Sequence, residues 1–167
     1  MIWTESYARF LGGSLELGTV ERLERFHSEM EDKRNYDRFT TFPSKSSDMV
    51  VIRNIRVSSF CPHHLLPIIG KCHIGYIPDG SILGLSKFQR LVDKYSYQPI
   101  VQEELTRILV DKITEMLLPL GVACVMECQH LCSVVRGIRN ELQDCSTQVL
   151  TGKFEQDAVR SEFFSRL

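Results

Sequence analysis

The order of its patterned segments constrains the fold of this chain more than any other feature. Strand-like runs occur as two pairs, at 49–60 with 70–77 and at 121–128 with 147–151. Helix-like segments lie before, between and after these pairs. Because hairpin-like pairs of strands, and not single strands, alternate with the helices, the pattern favours an α+β fold with antiparallel sheet.

Amphipathic spacing and start signals locate the helices. Four residues spaced i, i+3, i+4 and i+7 define one apolar helix face, and they are Phe88, Leu91, Val92 and Tyr95. Ser86 is predicted to cap this helix, and Pro99, a favoured first-turn residue, is predicted to open the next. Further helices are predicted at 19–30 and 154–167, with an irregular loop at 33–48.

The size and charge of the chain restrict its class. A length of 167 residues, with 43% hydrophobic and 25% charged residues, suits one compact domain. This domain is expected to span 1–167, with a short N-terminal helical region and loop at 1–47 and its core at 48–167. A net charge of -1 provides no general surface for nucleic acid or membrane, so neither is expected as a partner.

The expected compartment determines how the cysteines are interpreted. The chain begins with charged residues where a signal peptide has its apolar core, and no later stretch is long and apolar enough to span a bilayer. A cytoplasmic protein is therefore expected. In a reducing compartment the six cysteines are predicted to be buried thiols or metal ligands. Cys72 and Cys124 lie in apolar β-like runs and are predicted to be core residues.

Cys61, His64 and Cys132 form the candidate metal site. Cys61 and His64 are two ligands on one short loop, and Cys132 lies at or just past the end of a distant strand. Zinc takes thiolate and imidazole ligands, and a catalytic zinc site keeps one of its four positions free for water. A structural zinc site, with Cys128 as fourth ligand, is the alternative that the spacing also permits.

Two further imidazoles stand next to the candidate ligands. His63 precedes His64, and His130 lies two residues before Cys132. Imidazoles titrate near neutral pH, so both are candidates for proton transfer beside a metal-activated water.

A second group of residues has the chemistry of an anion site. Lys87 and Arg90 lie near the start of a predicted helix, where free backbone N–H groups and the helix dipole favour phosphate. Ser86 adds a hydroxyl, and Arg136 can bring a further guanidinium. Glu103, near the start of the next helix, is a candidate to accept hydrogen bonds from a planar N–H edge such as that of guanine. For these side chains an ordinary solvated charged face is the alternative.

Taken together, these residues resemble the GTP cyclohydrolase I family, nearly without gaps from about Asp48 to the C-terminus. Several separate motifs agree with that family in identity and order. They are Cys61-Pro62-His63-His64-Leu65-Leu66-Pro67, Gly70-Lys71, His73-Ile74-Gly75-Tyr76-Ile77-Pro78, Gly84-Leu85-Ser86-Lys87 with Arg90, Val101-Gln102-Glu103, His130-x-Cys132 with Arg136-Gly137, Gly152-x-Phe154 and Arg160-x-Glu162-Phe163.

The resemblance implies a reaction and the residues that perform it. The implied reaction is zinc-dependent hydrolysis of GTP at C8 of guanine, with formate release and rearrangement to 7,8-dihydroneopterin triphosphate. By the same resemblance Cys61, His64 and Cys132 hold Zn²⁺, and an activated water attacks C8. His63 and His130 then move protons to and from the opening ring.

The remaining motif residues correspond to substrate contacts in that family. Glu103, supported by Gln102, is implied to hold the guanine edge. The residues implied to bind ribose and triphosphate are Ser86, Lys87, Arg90 and Arg136. Arg25, on the N-terminal helix, is implied as a further phosphate contact.

The family also implies an architecture. Its tunnel fold joins the sheets of neighbouring subunits into a barrel. A homo-oligomer is therefore expected, usually a decamer of two face-to-face pentamers, in which neighbouring chains share each active site.

The chain departs from the family pattern at a few positions. Pro62 replaces the usual Glu, Val20 replaces Pro, and Gln98 and Ile100 stand where Arg and Gln are common. None of these changes removes a candidate ligand or proton-transfer group. Two alternatives remain: a tunnel-fold enzyme that stops at a formylated or ring-opened intermediate, and a zinc-stabilised oligomeric scaffold that binds nucleotides. The presence of His130 favours the complete reaction over the truncated one.

Overall fold

The structure, a computed structural model, describes residues 16–167 together with Arg9 and Gly13. The chain divides into two compact units, residues 1–35 and residues 36–167. The first unit contains helix α1 (Thr19–Arg34), which has no buried side chain. This helix continues past the predicted end at residue 30 and into the first two residues of the predicted loop at 33–48.

The second unit is built around a four-stranded sheet, a two-stranded sheet and the helices that connect and cover them. In chain order its elements are β1 (Thr41–Pro43), β2 (Val50–Phe60), β3 (Pro67–Ile77), β4 (Ser81–Leu83), α2 (Leu85–Ser96), α3 (Gln102–Leu117), β5 (Gly121–His130), α4 (Leu131–Val134), β6 (Cys145–Leu150), a 3₁₀-helix (Gly152–Glu155) and α5 (Asp157–Ser165).

The larger sheet has the order β2-β3-β5-β6, and every neighbouring pair is antiparallel. The α+β prediction and both predicted strand pairs are therefore confirmed. The two hairpins join through β3 and β5, where Ile68 pairs with His130 and Ile77 with Gly121. The prediction of a loop throughout 33–48 is wrong at β1, which pairs with β4 in the smaller sheet.

The side of the larger sheet that faces α2 and α3 carries the main core. Phe88 of α2 and Leu109 of α3 are fully buried there, and burial of such a side chain contributes about 1.5–3 kcal/mol. Cys72 and Cys124 are also fully buried in this cluster, which confirms both as core residues.

The C-terminal segment covers the opposite side of the sheet. Phe154 and Phe163 are fully buried, with their rings edge to face and their centroids 5.5 Å apart. They pack in one cluster with Ala123 and Val125 of β5. A Cβ atom on Gly75 would lie 2.7 Å from Cε2 of Phe163, so only glycine allows this close approach of ring and strand.

Two predicted helix starts are wrong. Helix α2 begins at Leu85 with Gly84 as its N-cap, so Ser86 lies inside the first turn and makes no capping hydrogen bond. Helix α3 begins at Gln102. Pro99 lies before it and forms a bridge with the end of β2, which holds the chain extended at that point.

The predicted continuous helix at 154–167 is also wrong, because it is interrupted. The 3₁₀-helix and α5 are separated at Gln156, whose φ of -77° and ψ of 133° are extended. Among the helices of residues 16–167, none has the length and apolar character needed to cross a membrane.

Candidate active site

The loop between β2 and β3 holds Cys61 and His64 on a closed turn. The Leu65 N–H donates to the Cys61 carbonyl at 2.8 Å, and the Cys61 N–H donates to the Leu66 carbonyl at 2.9 Å. Leu65 takes the left-handed conformation that the turn requires, with φ 54°. Neither hydrogen bond uses the backbone nitrogen of residue 62. Pro62, which has no N–H and fixes φ at about -65°, is therefore compatible with this turn.

Strand register brings the third candidate ligand to this loop. Strand β3 begins directly after the loop, and its Ile68 pairs with His130, the last residue of β5. Cys132 follows in the short helix α4. The ligand atoms of Cys61, His64 and Cys132 consequently all lie within 4.8 Å of one another. We name these three residues the metal-ligand cluster.

The donor set of the metal-ligand cluster fits zinc. Thiolate and imidazole are the ligands that zinc prefers, and three protein ligands leave one tetrahedral position open. Burial and the neighbouring Cys61 thiol raise the pKa of Cys132, so the Cys132 thiol needs a bound cation to lose its proton near neutral pH. Nδ1 is the ring nitrogen by which His64 approaches the Cys61 sulfur, at 3.7 Å.

Cys128 does not belong to the cluster. It is 1% exposed within β5, and burial is the main cause that raises the pKa of its thiol to about 12. A thiol held protonated in this way is a poor ligand, because metals bind the thiolate. Within the described part of the chain, the cluster therefore has three ligands, whereas a structural zinc site uses four.

The two candidate proton-transfer residues border the cluster. Nδ1 of the exposed His63 lies 3.8 Å from Sγ of Cys61. His130 is half-buried, and this burial lowers the pKa of its imidazole, although the charge of Glu103 acts in the opposite direction. The ring of His130 is therefore mainly neutral at pH 7.

Gln102 fixes the orientation of the His130 ring. Its side chain is 2% exposed, and its Oε1 lies 2.8 Å from Nε2 of His130. Its Nε2 donates to the backbone carbonyls of Met126 and Cys145, both at 3.0 Å. Carbonyls only accept, so the amide cannot be reversed and Oε1 must face the imidazole. The His130 Nε2–H therefore donates, and Nδ1 is the nitrogen that remains free to accept a proton.

A cavity of about 240 Å³ connects these groups, and its wall includes the metal-ligand cluster and both histidines. Glu103, in the first turn of α3, also lines it. This carboxylate is exposed and forms no ion pair with any residue in 16–167. Gln102 contributes to the same wall, but its amide is already engaged on both ends. A substrate contact by that amide would require one of its internal hydrogen bonds to break.

The candidate phosphate contacts on α2 lie in its first two turns, and they are Ser86, Lys87 and Arg90. The other end of this helix approaches the metal-binding loop. Ile100, four residues after the end of the helix, donates its N–H to the carbonyl of Phe60, the residue before Cys61. A helix of 12 residues is about 18 Å long. None of the three candidates is in the wall of the cavity described above.

The two remaining candidates differ in their surroundings. Arg136 is exposed, and its Nη1 donates to Nε2 of His64 at 2.6 Å. It therefore contacts a residue of the metal-ligand cluster directly. Arg25 belongs to the first unit, where it is exposed on α1.

Two relationships have only weak signals in the sequence. Lys87 Nζ donates to the phenol oxygen of Tyr36 at 2.7 Å, and no local pattern marks a pair 51 residues apart. The hydrogen bond by which Thr106 supports Gln102 has a clearer signal in the sequence. Thr106, four residues on in the same helix, donates to the Gln102 carbonyl at 2.7 Å and contacts the Thr147 hydroxyl at 2.7 Å. Threonine commonly bonds back to a carbonyl at this spacing.

Comparison with solved structures supports the fold. The crystal structure of the archaeosine synthase QueF-Like in the apo form matches with a TM-score of 0.55, over 65% of this chain and 97% of that one. The two sequences are 23% identical, so this likeness concerns the fold alone.

Comparison with protein families and curated proteins is more specific. The family model of GTP cyclohydrolase I matches residues 17–167. GTP cyclohydrolase 1 of Sulfurihydrogenibium sp. (strain YO3AOP1) is 44% identical over 150 residues, which cover 88% of this chain and 80% of that protein. GTP cyclohydrolase 1 of Teredinibacter turnerae (strain ATCC 39867 / T7901) is 43% identical over 127 residues, 75% of this chain and 69% of that protein. The tunnel fold expected from the sequence is thereby confirmed, and the chain belongs to the GTP cyclohydrolase I family.

Proposed function

We propose that this protein opens the guanine ring of GTP at C8, releases formate and forms 7,8-dihydroneopterin triphosphate. The observation that carries the proposal is the arrangement of two imidazoles and a carboxylate around a three-ligand cluster in one cavity. Membership of the GTP cyclohydrolase I family supports GTP as the substrate. The overall reaction consumes one water per GTP.

Cys61, His64 and Cys132 are the residues that would hold zinc. When bound there, zinc supplies Lewis acidity and lowers the pKa of a water molecule at the open position. The closed turn and the β3–β5 register place the three donors close together. A site that is organised in advance loses less conformational freedom when it binds its metal.

His130 and His63 move the protons. Release of C8 breaks its two carbon–nitrogen bonds, and each of the two nitrogens freed from C8 must take up a proton. Nε2 of His130 is engaged with Gln102, so the proton exchange of this residue takes place at Nδ1. The lowered pKa keeps the ring neutral and able to accept a proton. His63, exposed beside the cluster, is the second carrier and exchanges with solvent.

Glu103 recognises the base. The N1–H and 2-amino groups of guanine form a planar pair of donors, and a carboxylate accepts two such hydrogen bonds side by side. The Glu103 carboxylate lines the cavity and is unpaired among the described residues. Gln102, buried behind it, acts on the reaction through His130.

The phosphate contacts support an active site shared between copies of the chain. Lys87 and Arg90 lie at the start of α2, whereas the far end of that helix approaches the metal-binding loop. If α2 of a neighbouring copy of the chain completed the cavity, the contacts to the base and to the phosphates would lie in one site. Among the described residues the outer edges of β2 and β6 have no partner strand in this sheet, so either edge can join a neighbouring sheet. We include in the proposal a homo-oligomer, a decamer of two pentamers.

Product analysis of zinc-loaded protein with GTP tests this function. Formate and a fluorescent oxidised pterin are the expected products, separated by chromatography. A formylated nucleotide without formate would favour an enzyme that stops after the first hydrolysis. Unchanged GTP in the presence of bound zinc would favour a nucleotide-binding scaffold.

A further inference from the structure

Tyr36 contacts three cations of one helix. Lys87 Nζ donates to its phenol oxygen at 2.7 Å, and Lys94 Nζ donates to its backbone carbonyl at 2.6 Å. The guanidinium carbon of Arg90 lies 4.7 Å from the centroid of the Tyr36 ring. The cations are spaced i, i+3 and i+7, so they follow one another along α2. We name Lys87, Arg90 and Lys94 the α2 cation row.

Tyr36 orders this row without neutralising it. Within residues 16–167, no ion pair joins Lys87 or Arg90 to a carboxylate. Tyr36 offers a hydroxyl oxygen, a carbonyl oxygen and a ring face, which attract cations but carry no full negative charge. Its own O–H donates to the Arg38 carbonyl at 2.6 Å, which directs a lone pair of the phenol oxygen to Lys87. The positive charge of the row therefore remains available to a ligand.

The contacts with Tyr36 also leave hydrogen-bond donors unused. An ammonium group has three N–H donors, and the phenol takes one of those on Lys87. A guanidinium has five donors in its plane, so contact with an aromatic ring leaves part of the donor edge of Arg90 open. Both side chains would otherwise lose rotamer freedom when an anion binds, and prior ordering reduces that loss.

We propose that Tyr36 is a positioning residue for the phosphate groups of the nucleotide, which holds Lys87 and Arg90 side by side so that one polyphosphate contacts both. This inference rests on the proposed function, which makes the start of α2 a phosphate site. Tyr36 does not touch the reacting atoms and acts through the cations. The opposite possibility is that its phenol occupies the place of a phosphate oxygen and must leave when nucleotide binds.

Steady-state kinetics with GTP distinguish these roles. Tyr36→Phe keeps the ring against Arg90 but removes the acceptor for Lys87, whereas Tyr36→Leu removes both contacts. We expect the KM for GTP to rise about threefold in the first variant and about tenfold in the second, with kcat within about twofold of wild type. Tyr95→Phe is the matched control, because it removes a phenol oxygen from α2, the helix that carries the α2 cation row. The KM of this variant is expected to be unchanged.

A double variant tests whether the hydroxyl acts through Lys87. Lys87→Met alone is expected to raise the KM, and Tyr36→Phe combined with Lys87→Met is expected to raise it no further. Independent effects that multiply in the double variant would overturn the inference. An unchanged KM in both Tyr36 variants would overturn it as well, and a lowered KM would show that the phenol competes with phosphate.

Binding of inorganic tripolyphosphate to the zinc-loaded protein, measured by calorimetry, separates this inference from the proposed function. The affinity is expected to fall about tenfold in Tyr36→Leu. If this fall occurs although the wild type releases no formate from GTP, the proposed function fails and the inference stands. If the wild type converts GTP but the Tyr36 variants change neither KM nor this affinity, the inference fails and the function stands.

Discussion

A hydrogen bond of 2.8 Å joins Oε1 of Gln102 to Nε2 of His130 and connects the start of α3 to the end of β5. Gln102 is adjacent to Glu103 in the sequence, but successive helix residues point about 100° apart. The Gln102 side chain is therefore buried in the wall of the cavity, whereas the Glu103 side chain is exposed at the same wall. The buried amide acts as a rigid support that selects the tautomer of the half-buried imidazole.

Replacement of Gln102 by Leu removes this support at nearly constant volume. We expect kcat for formate release to fall by a factor of about ten or more with little change in KM, because His130 loses its orientation. The carbonyls of Met126 and Cys145 lose their amide donor, so the free energy of unfolding should fall by about 1–3 kcal/mol. Kinetics and urea unfolding measure the two effects.

Gln129→Leu is the matched control for that substitution. Gln129 lies on the same strand as His130, and its amide donates to the carbonyl of the exposed Glu141. Stability is expected to change by less than about 0.5 kcal/mol. Wild-type kcat in Gln102→Leu would contradict the positioning of His130.

Substitutions around the metal-ligand cluster should separate metal binding from proton transfer. Cys132→Ser is expected to lose bound zinc and activity together, because it removes one of three clustered donors. His130→Ala is expected to keep zinc and lose activity. Metal analysis of the purified variants, beside Cys145→Ser as a control outside the cluster, makes the comparison. Full zinc content in Cys132→Ser would exclude Cys132 as a ligand.

Pro62→Glu tests whether the departure from the family pattern matters for the metal. The turn is closed by hydrogen bonds of Cys61 with Leu65 and Leu66, none of which involves residue 62. Zinc content is therefore expected to be unchanged. The substitution should reduce stability by about 0.4–1 kcal/mol, since glutamate restores conformational freedom to the unfolded loop. Loss of zinc in this variant would show that the loop depends on proline.

His73 should make the folded state sensitive to acid. It is 3% exposed, and Nδ1 has no hydrogen-bond partner among the described residues. Burial and the charge of Lys71 lower its pKa below 6.5, although the Glu127 carboxylate, 3.9 Å from Nε2, opposes this shift. Between the lowered pKa and 6.5 the unfolded chain binds more protons than the folded chain, so stability rises with pH in that window.

The loss of stability is therefore absent above pH 6.5 and grows as the pH falls to the folded-state pKa of His73. Each pKa unit of difference corresponds to about 1.4 kcal/mol. Urea unfolding of wild type and His73→Gln between pH 7.5 and 5 isolates this effect from that of the carboxylates. We expect wild type to lose more stability on acidification than the variant. Parallel curves would exclude His73 as the cause.

Local pattern was sufficient for some elements and insufficient for others. The strand predicted at 49–60 lies at Val50–Phe60, because its apolar residues record burial in a sheet. The prediction that Ser86 caps the helix is wrong because Gly84 is the N-cap and the helix begins at Leu85. The pairing of β1 with β4 links three-residue strands that are far apart in the sequence, and β1 is exposed throughout, so no periodicity reveals the pairing.

The candidate site divides in the same way. Cys61, His64 and Cys132 are candidate metal ligands from their residue types in the sequence, but the proximity of Cys132 to the other two depends on the pairing of β3 with β5. The contact of Tyr36 with Lys87 and the absence of Ser86, Lys87 and Arg90 from the cavity wall are consequences of tertiary packing. Only the folded chain reveals them.

The most direct test of the function is GTP labelled with ¹³C at C8, incubated with zinc-loaded protein and followed by NMR. We expect the C8 signal to disappear as one equivalent of ¹³C-formate forms, while His130→Ala retains its zinc and forms no ¹³C-formate. Retention of the C8 signal by the zinc-loaded wild-type protein would contradict the ring-opening function.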